Sequence, residues 1–530
     1  MNLRSWLKNG FNKWRLLLLV FIVIYASFLL FNLGYMAIQW DEIPHLYGGL
    51  LLARGQSQEY MATYGYYPPL YDILTTGYFQ IFGVSAASGR LVAVTFSLLS
   101  IWIVFEFANR TYGPKIALIA GILLSSMPGF FWLSRVAMLE TMLIFFFSLA
   151  MFFFLSWMHL SQNKALILCG LALGVGFLAK YQILVAGIVM IVIISFLGKE
   201  KLRARFSKWL ILPIIAIVVV IPWFLILYQI YGVNRLGELL YVVQEGGQDR
   251  AVYSARFFAP IFYLIEMTWP FPDIPVHPIS LPIYIFGLLG LGLWAYRRKT
   301  EDKFFLMWFI VVYVFFTLIP NKQWRYVTPI FPVLAISAAS FIMFVYDKAA
   351  EAWKHKQISL NKKLAIKVAA GFFVILVAFA VVYSSNDAYQ MVVRDQIHIP
   401  IEEATNYAAN HMNQNDSIMV VCATNFYNRD MVKFYLQADE FRQNQVWQYP
   451  ELPVDAFKPN FDVNGLISLC EEHNVKYAFL YAYGGDVPYF NTTLTAMDVY
   501  QQLLNCSRFT DEHRVPVGNS SRAITIFSFA

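Results

Sequence analysis

Residues 14–42 read WRLLLLVFIVIYASFLLFNLGYMAIQWDE. An apolar run over 14–38 is longer than the roughly 20 residues a helix needs to cross a bilayer. It stops at Trp40, a residue type suited to the interface, and the next two positions are the adjacent carboxylates Asp41 and Glu42. No small-residue cleavage site precedes Trp40, so the run reads as a retained span and not as a leader. Comparable runs recur at 84–108, 115–133, 136–158, 164–180, 182–198, 209–231, 279–296, 303–319, 326–346 and 365–385. About eleven transmembrane helices are therefore expected.

Composition agrees. The chain has 530 residues, 58% apolar and only 14% charged, against roughly 25% charge in a soluble domain. That excludes an ordinary cytosolic enzyme and a disordered chain. Four cysteines exclude a disulfide-built scaffold. The net charge of +7 sits largely in short loops, which argues against nucleic acid as a partner.

Placement of Lys and Arg orients the chain. Basic residues cluster at Arg4–Arg15, Lys199–Lys208, Arg297–Lys303 and Lys348–Lys367. Alternating eleven spans puts roughly 22 of them on one side and about 9 on the other. The N-terminus is expected in the cytoplasm and the C-terminus outside, in a multi-pass protein of the cell membrane. Two outer loops are long, 39–83 and 232–278. The first carries a helical pattern at 42–54 that suits an interfacial helix.

Past residue 385 the composition becomes that of a soluble domain. "SIMVVC" at 417–422, "VKYAFLY" at 475–481 and Ala523–Phe527 read as strands, and Val463–His473 as a helix. The expected fold is thus an all-α polytopic membrane domain, residues 1–385, followed by a small extracytoplasmic α/β domain, residues 386–530. One disulfide among Cys422, Cys470 and Cys506 would have three competing pairings, and none is favoured.

Candidate chemistry starts with ionisable groups at membrane depth, which are costly and therefore informative. Asp41 and Glu42 could take a proton from an incoming hydroxyl or bind a metal; Asp41 could instead cap the helix that follows. Glu140, at the start of the fourth span, could be a second acid at the outer side, or could simply pair with Arg135. Lys180 interrupts a double span; Lys322 and Arg325 share a short outer turn; Arg256 lies in the second loop. Together these four cations suit a phosphate anion, whereas each alone suits headgroup anchoring. Tyr66 and Tyr67, in the turn "YYPPLY", and Tyr326, beside Arg325, could contact a sugar or lipid chain. His45 and His277 could also be metal ligands, but no ligand spacing joins them. No motif implies a cofactor; a divalent metal stays open.

In order, the acidic pair, "YYPPLY" (66–71), "FGVSAASGRLVAV" (82–94), "SRVAMLETMLIFF" (134–146), "LGVGFLAKY" (173–181) and "RYVTPIFPVLAISAA" (325–339) resemble a known family. The chain is similar, over roughly residues 30–345, to the GT-C membrane glycosyltransferases of the protein O-mannosyltransferase and aminoarabinose-transferase group. The resemblance implies a polyprenyl-phosphate-linked sugar donor, inverting transfer at the outer face, and a protein, lipid or envelope-glycan acceptor. It casts Asp41 as catalytic base or acceptor-orienting residue, Glu140 as the fourth-span acid, and Arg325 as a donor-phosphate ligand. Two departures stand out. Tyr67 occupies the position before the proline pair where many members carry His or Arg, and Glu140 stands where many carry Asp. The competing expectation is a transporter or flippase for a lipid-linked sugar, although no internal repeat is visible.

Overall fold

The computed structural model describes residues 12–197, 208–246, 257–269, 277–354, 360–390, 398–422, 427–436, 445–450, 461–482, 494–517 and 523–530. Arg256, with the rest of 247–256, and the Pro-rich stretch 270–276 of the second outer loop lie outside the described residues. Two compact units emerge. One comprises Met1–Phe31, Gly65–Tyr71 and Arg90–Asp395; the other comprises Asn32–Tyr64, Asp72–Gly89 and Gln396–Ala530.

The first unit is helical. The apolar runs are helical, among them Lys13–Leu30, Ala86–Tyr112, Glu140–Leu160, Asn163–Ala179, Leu184–Leu197, Leu281–Arg297, Phe331–Lys354 and Leu360–Tyr389, but the run at 115–133 is divided at Met127 into Pro114–Ser126 and Pro128–Leu133. Six helices among the described residues are long and apolar enough to cross a membrane. The remaining runs form helices that are shorter or carry more charge, so length and composition alone certify six and not eleven.

Local chemistry sets several boundaries. The Asn12 side chain accepts from the amide of Arg15 (3.1 Å) and caps the first helix. Ser161 and Arg298 adopt left-handed backbone just past Leu160 and Arg297 and end those helices. The helices Leu281–Arg297 and Phe331–Lys354 pack closely because Gly290 has no side chain: a Cβ there would collide with the backbone of Ser337. The Ser337 hydroxyl also donates across this contact to the carbonyl of Gly287 (2.9 Å). At the opposite extreme, Leu360–Tyr389 exposes Leu364, Val368, Phe372 and Ile375, a surface suited to lipid.

The second unit is larger than the C-terminal segment foreseen at 386–530, because part of the first outer loop belongs to it. Its sheet has five strands: β1 Ser417–Val421, β2 Val446–Tyr449, β3 Val475–Ala482, β4 Phe509–Pro516 and β5 Ala523–Phe529, in the order β2-β1-β3-β5-β4. The first three pair in parallel and the last two antiparallel. Val463–Glu472 and Ala496–Leu504 bury Leu466, Cys470, Val499 and Leu503 against Met419, Leu480 and Phe527. None of the four cysteines is in a disulfide.

The helix foreseen at 42–54 exists as Ile43–Ala53, but it is not interfacial: every residue from Ile43 to Leu51 is buried. Its one charged-type side chain, His45, is matched inside the unit, which removes the need for a wet face.

Candidate active site

In the first unit an acid and two cations converge. Glu140 opens the helix Glu140–Leu160 and is buried. Its Oε1 accepts from Lys180 Nζ at 2.8 Å, and Arg325 Nη1 stands 3.8 Å away. The foreseen pairing of Glu140 with Arg135 is not made. Arg135 instead donates to the carbonyls of Phe28 and Leu29 (3.0 and 2.5 Å), because the chain between them turns and the arginine points at the end of the first helix.

Lys180 reaches Glu140 because its own helix stops there. Backbone at Lys180 is extended (φ −159°), and a short 3-10 turn Tyr181–Ile183 follows before Leu184–Leu197 begins. That break turns an apparent double span into two helices with an ammonium at the joint. Beside it, the Tyr181 hydroxyl donates to the carbonyl of Tyr66 (3.1 Å), anchoring the "YYPPLY" turn, and the Tyr66 and Tyr67 rings lie 4.4 Å apart.

Arg325 sits in the 3-10 segment Trp324–Ile330 and is further held by Gln323 Oε1 (2.9 Å) and Met138 Sδ (3.4 Å). Neither partner was foreseen; Gln323 lies only two residues away and was the more legible. The Tyr326 hydroxyl accepts from Asn321 Nδ2 (3.2 Å). Lys322 does not join the cluster in the same way. It is buried, and its Nζ donates to the carbonyls of Ile319 and Pro320 (2.8 and 3.3 Å), so it braces its own turn.

The acidic pair lies in the second unit and splits into unlike residues. Glu42 is fully buried, and its Oε2 accepts from the amide of Gln39 (3.0 Å). Asp41 is half-buried, in the turn just before the helix. The helix begins at Ile43 with Glu42 in the cap position and no side-chain cap, so Asp41 is not the cap foreseen for it. The two carboxylates thus differ in burial, and Glu42 closes the turn.

The histidines take ordinary partners. His45 Nδ1 meets Asp72 Oδ1 at 2.8 Å, and His277 Nδ1 donates to the carbonyl of Thr268 (2.6 Å). Among the described residues no group of three or more His, Cys, Asp or Glu could hold a metal. Asp72 was missed by sequence reasoning; a carboxylate in the first turn of an apolar helix was the available signal. Burial raises the Asp72 carboxyl above its ordinary range, while His45 and Tyr60 pull it back.

A helical membrane unit carrying this acid–cation cluster, with a second unit built on a five-stranded sheet, has the fold of the GT-C glycosyltransferase superfamily. With six long apolar helices, it is a multi-pass membrane protein. The family described as dolichyl-phosphate-mannose-protein mannosyltransferase matches residues 67–226. A protein of Aquifex aeolicus is 25% identical over 62% of this chain and 64% of its own length. The undecaprenyl phosphate-alpha-4-amino-4-deoxy-L-arabinose arabinosyl transferase 1 of Proteus mirabilis is 23% identical over 59% of this chain and 56% of its own. The chain thus spans less than two thirds of the length of these curated relatives. The solved structure of ArnT from Cupriavidus metallidurans bound to undecaprenyl phosphate aligns with a TM-score of 0.60 at 16% identity, covering 97% of this chain and 98% of that one.

Proposed function

We propose that this protein is an integral-membrane glycosyltransferase that moves a sugar from a polyprenyl-phosphate donor to an acceptor at the outer face of the membrane. The observation that carries the reading is the Lys180–Glu140–Arg325 cluster, set in a chain with the GT-C fold. Two cations and one carboxylate sum to a single positive charge. A sugar phosphodiester carries one negative charge; the polyprenyl phosphate that leaves carries up to two. The cluster therefore favours the leaving group over the bound donor, which is the direction catalysis requires.

Lys180 and Arg325 are the phosphate ligands of this reading, and Glu140 holds both in place. Lys322 stiffens the outer turn that carries Arg325. Tyr66, Tyr67 and Tyr326 are apolar-faced neighbours for the sugar or the isoprenoid chain. Asp41 is the base. It takes the proton of the acceptor hydroxyl or amine as that atom bonds to the anomeric carbon. The bond from the anomeric carbon to the phosphate oxygen breaks, and the electron pair leaves with the polyprenyl phosphate. Attack from the side away from the phosphate inverts the anomeric centre. The N-terminus lies in the cytoplasm and the C-terminal unit outside.

The reading is tested with purified full-length protein and radiolabelled undecaprenyl-phosphate-linked mannose or 4-amino-4-deoxy-arabinose, with cell-envelope fractions as acceptor. Label should move to a lipid, glycan or protein fraction, and Arg325→Ala should raise the donor KM. Movement of intact donor across a vesicle bilayer without transfer would replace the transferase with a flippase.

A further inference from the structure

Within the second unit three helices meet on one carboxylate. Asp72 lies in the first turn of Leu70–Phe82 and is fully buried. Its Oδ1 pairs with His45 Nδ1, from the helix Ile43–Ala53, at 2.8 Å. Its Oδ2 accepts from the hydroxyl of Tyr60, from the helix Ser57–Tyr64, also at 2.8 Å. His45 and Tyr60 are themselves buried. The helices come this close because positions 48 and 49 are glycines. A Cβ on Gly48 would stand 3.1 Å from the Tyr60 ring and 3.4 Å from Asp72 Oδ2, and one on Gly49 would stand 2.5 Å from Thr75 Cγ2. The Thr76 hydroxyl adds a bolt to the carbonyl of Gly49 (3.0 Å).

Well-packed apolar side chains would hold three helices at least as firmly, because a buried ion pair is a weak source of stability. What a buried carboxylate with two directed donors adds is geometry: it accepts one rotation of the helix that carries His45 and rejects others. That helix leads directly out of the acidic turn. His45 is its third residue; the amides of His45 and Leu46 both bond the carbonyl of Glu42 (3.0 Å each), and Glu42 closes back on Gln39. Rotation or slippage of the helix is therefore passed to Asp41, one turn away.

We propose that the Asp72–His45 pair, steadied by Tyr60, is a positioning device that presents the Asp41 carboxylate in one orientation. The kinetic part of this proposal rests on the transferase reading above. Asp72, His45 and Tyr60 touch no reacting atom; they act through the helix and the turn.

The test uses the full chain in detergent, with undecaprenyl-phosphate-linked mannose or 4-amino-4-deoxy-arabinose as donor probe. An asparagine amide can stand where Nδ1 of histidine stands, whereas a glutamine amide reaches the place of Nε2. His45→Gln and Asp72→Asn should lower kcat about tenfold or more, the scale of a small misplacement of a reacting group, with donor KM nearly unchanged. His45→Asn should restore most of the loss. Amide hydrogen exchange over residues 38–46 should quicken in His45→Gln, with the membrane helices unchanged. Should that variant not remain monodisperse, Tyr60→Phe removes one donor, keeps the ring, and carries the same measurements. Unchanged kcat, or a loss of folded protein with unchanged kcat in what remains, would overturn the device, as would exchange equal to wild type. A wild type that transfers from neither donor would overturn the transferase reading instead, and exchange alone would then decide the device.

Discussion

At the scale of single residues, the two members of the acidic pair separate into a fully buried, turn-closing carboxylate and a half-buried one. Asp41→Asn keeps the shape of the turn, so thermal stability should stay near wild type while turnover falls by about 10²–10⁴, the range of general-base help. Glu42→Gln keeps an acceptor for Gln39 and should lose far less. Equal losses in the two variants, measured as kcat in the donor assay, would remove the distinction. The cluster around Glu140 makes a second prediction. Arg325→Ala removes a charge-assisted hydrogen-bond donor, worth about 1.5–3 kcal/mol, and should raise donor KM by one to two orders of magnitude. Lys180→Met leaves Glu140 buried with its nearest cation gone. It should therefore lower the melting temperature as well, since breaking a buried pair costs about 3–5 kcal/mol. Glu140→Gln in the Lys180→Met background should recover that stability without recovering donor affinity.

At the scale of elements, caps and close packing decide where helices stop and how near they come. In Ala496–Leu504 the Thr495 amide and hydroxyl hold the Asp498 carboxyl below its ordinary range, closing a capping box. The sign follows directly. The folded state favours the ionised form, so the stabilisation is present above the ordinary carboxylate value and is lost as pH falls through the depressed one. Asp498→Asn should therefore unfold earlier than wild type at about pH 7, and the two should converge by about pH 2; thermal melts of the full chain at both values check this. The helix Ile43–Ala53 shows what element-level reading misses. Its polar positions looked like a wet face, but the partner of His45 lies 27 residues on, in another helix. The break at Lys180 was visible as a charge in an apolar run; that the charge faces Glu140 was not.

At the scale of the whole molecule, the topology makes a chemical prediction. Cys169, Cys422 and Cys470 are buried, and burial pushes the Cys470 thiol up to about 12, so it stays protonated and unreactive. Cys506 is half-exposed. A membrane-impermeant maleimide applied to intact cells should label the protein at Cys506, and Cys506→Ser should abolish labelling. Labelling only after permeabilisation would put the C-terminal unit inside and end the outer-face assignment.

What the sequence determined by itself is everything that depends on contiguous residues. A bilayer span is a sum over about twenty neighbours, so the apolar runs, their helical state and the change of composition near residue 385 were legible without a structure. The strands β1, β3 and β5 were legible for the same reason; β2 and β4 were not, because β2 is only four residues long and β4, "FTDEHRVP", is polar and mostly exposed at the sheet edge. Tertiary structure alone decided which charges meet. Glu140 and Lys180 are 40 residues apart, and Glu140 and Arg325 still further. Nothing local distinguishes a lysine that anchors to a headgroup from one that holds an acid, or a histidine that binds metal from one that orients a helix. Pairing energies at membrane depth depend on distance and burial, and both are properties of how helices pack.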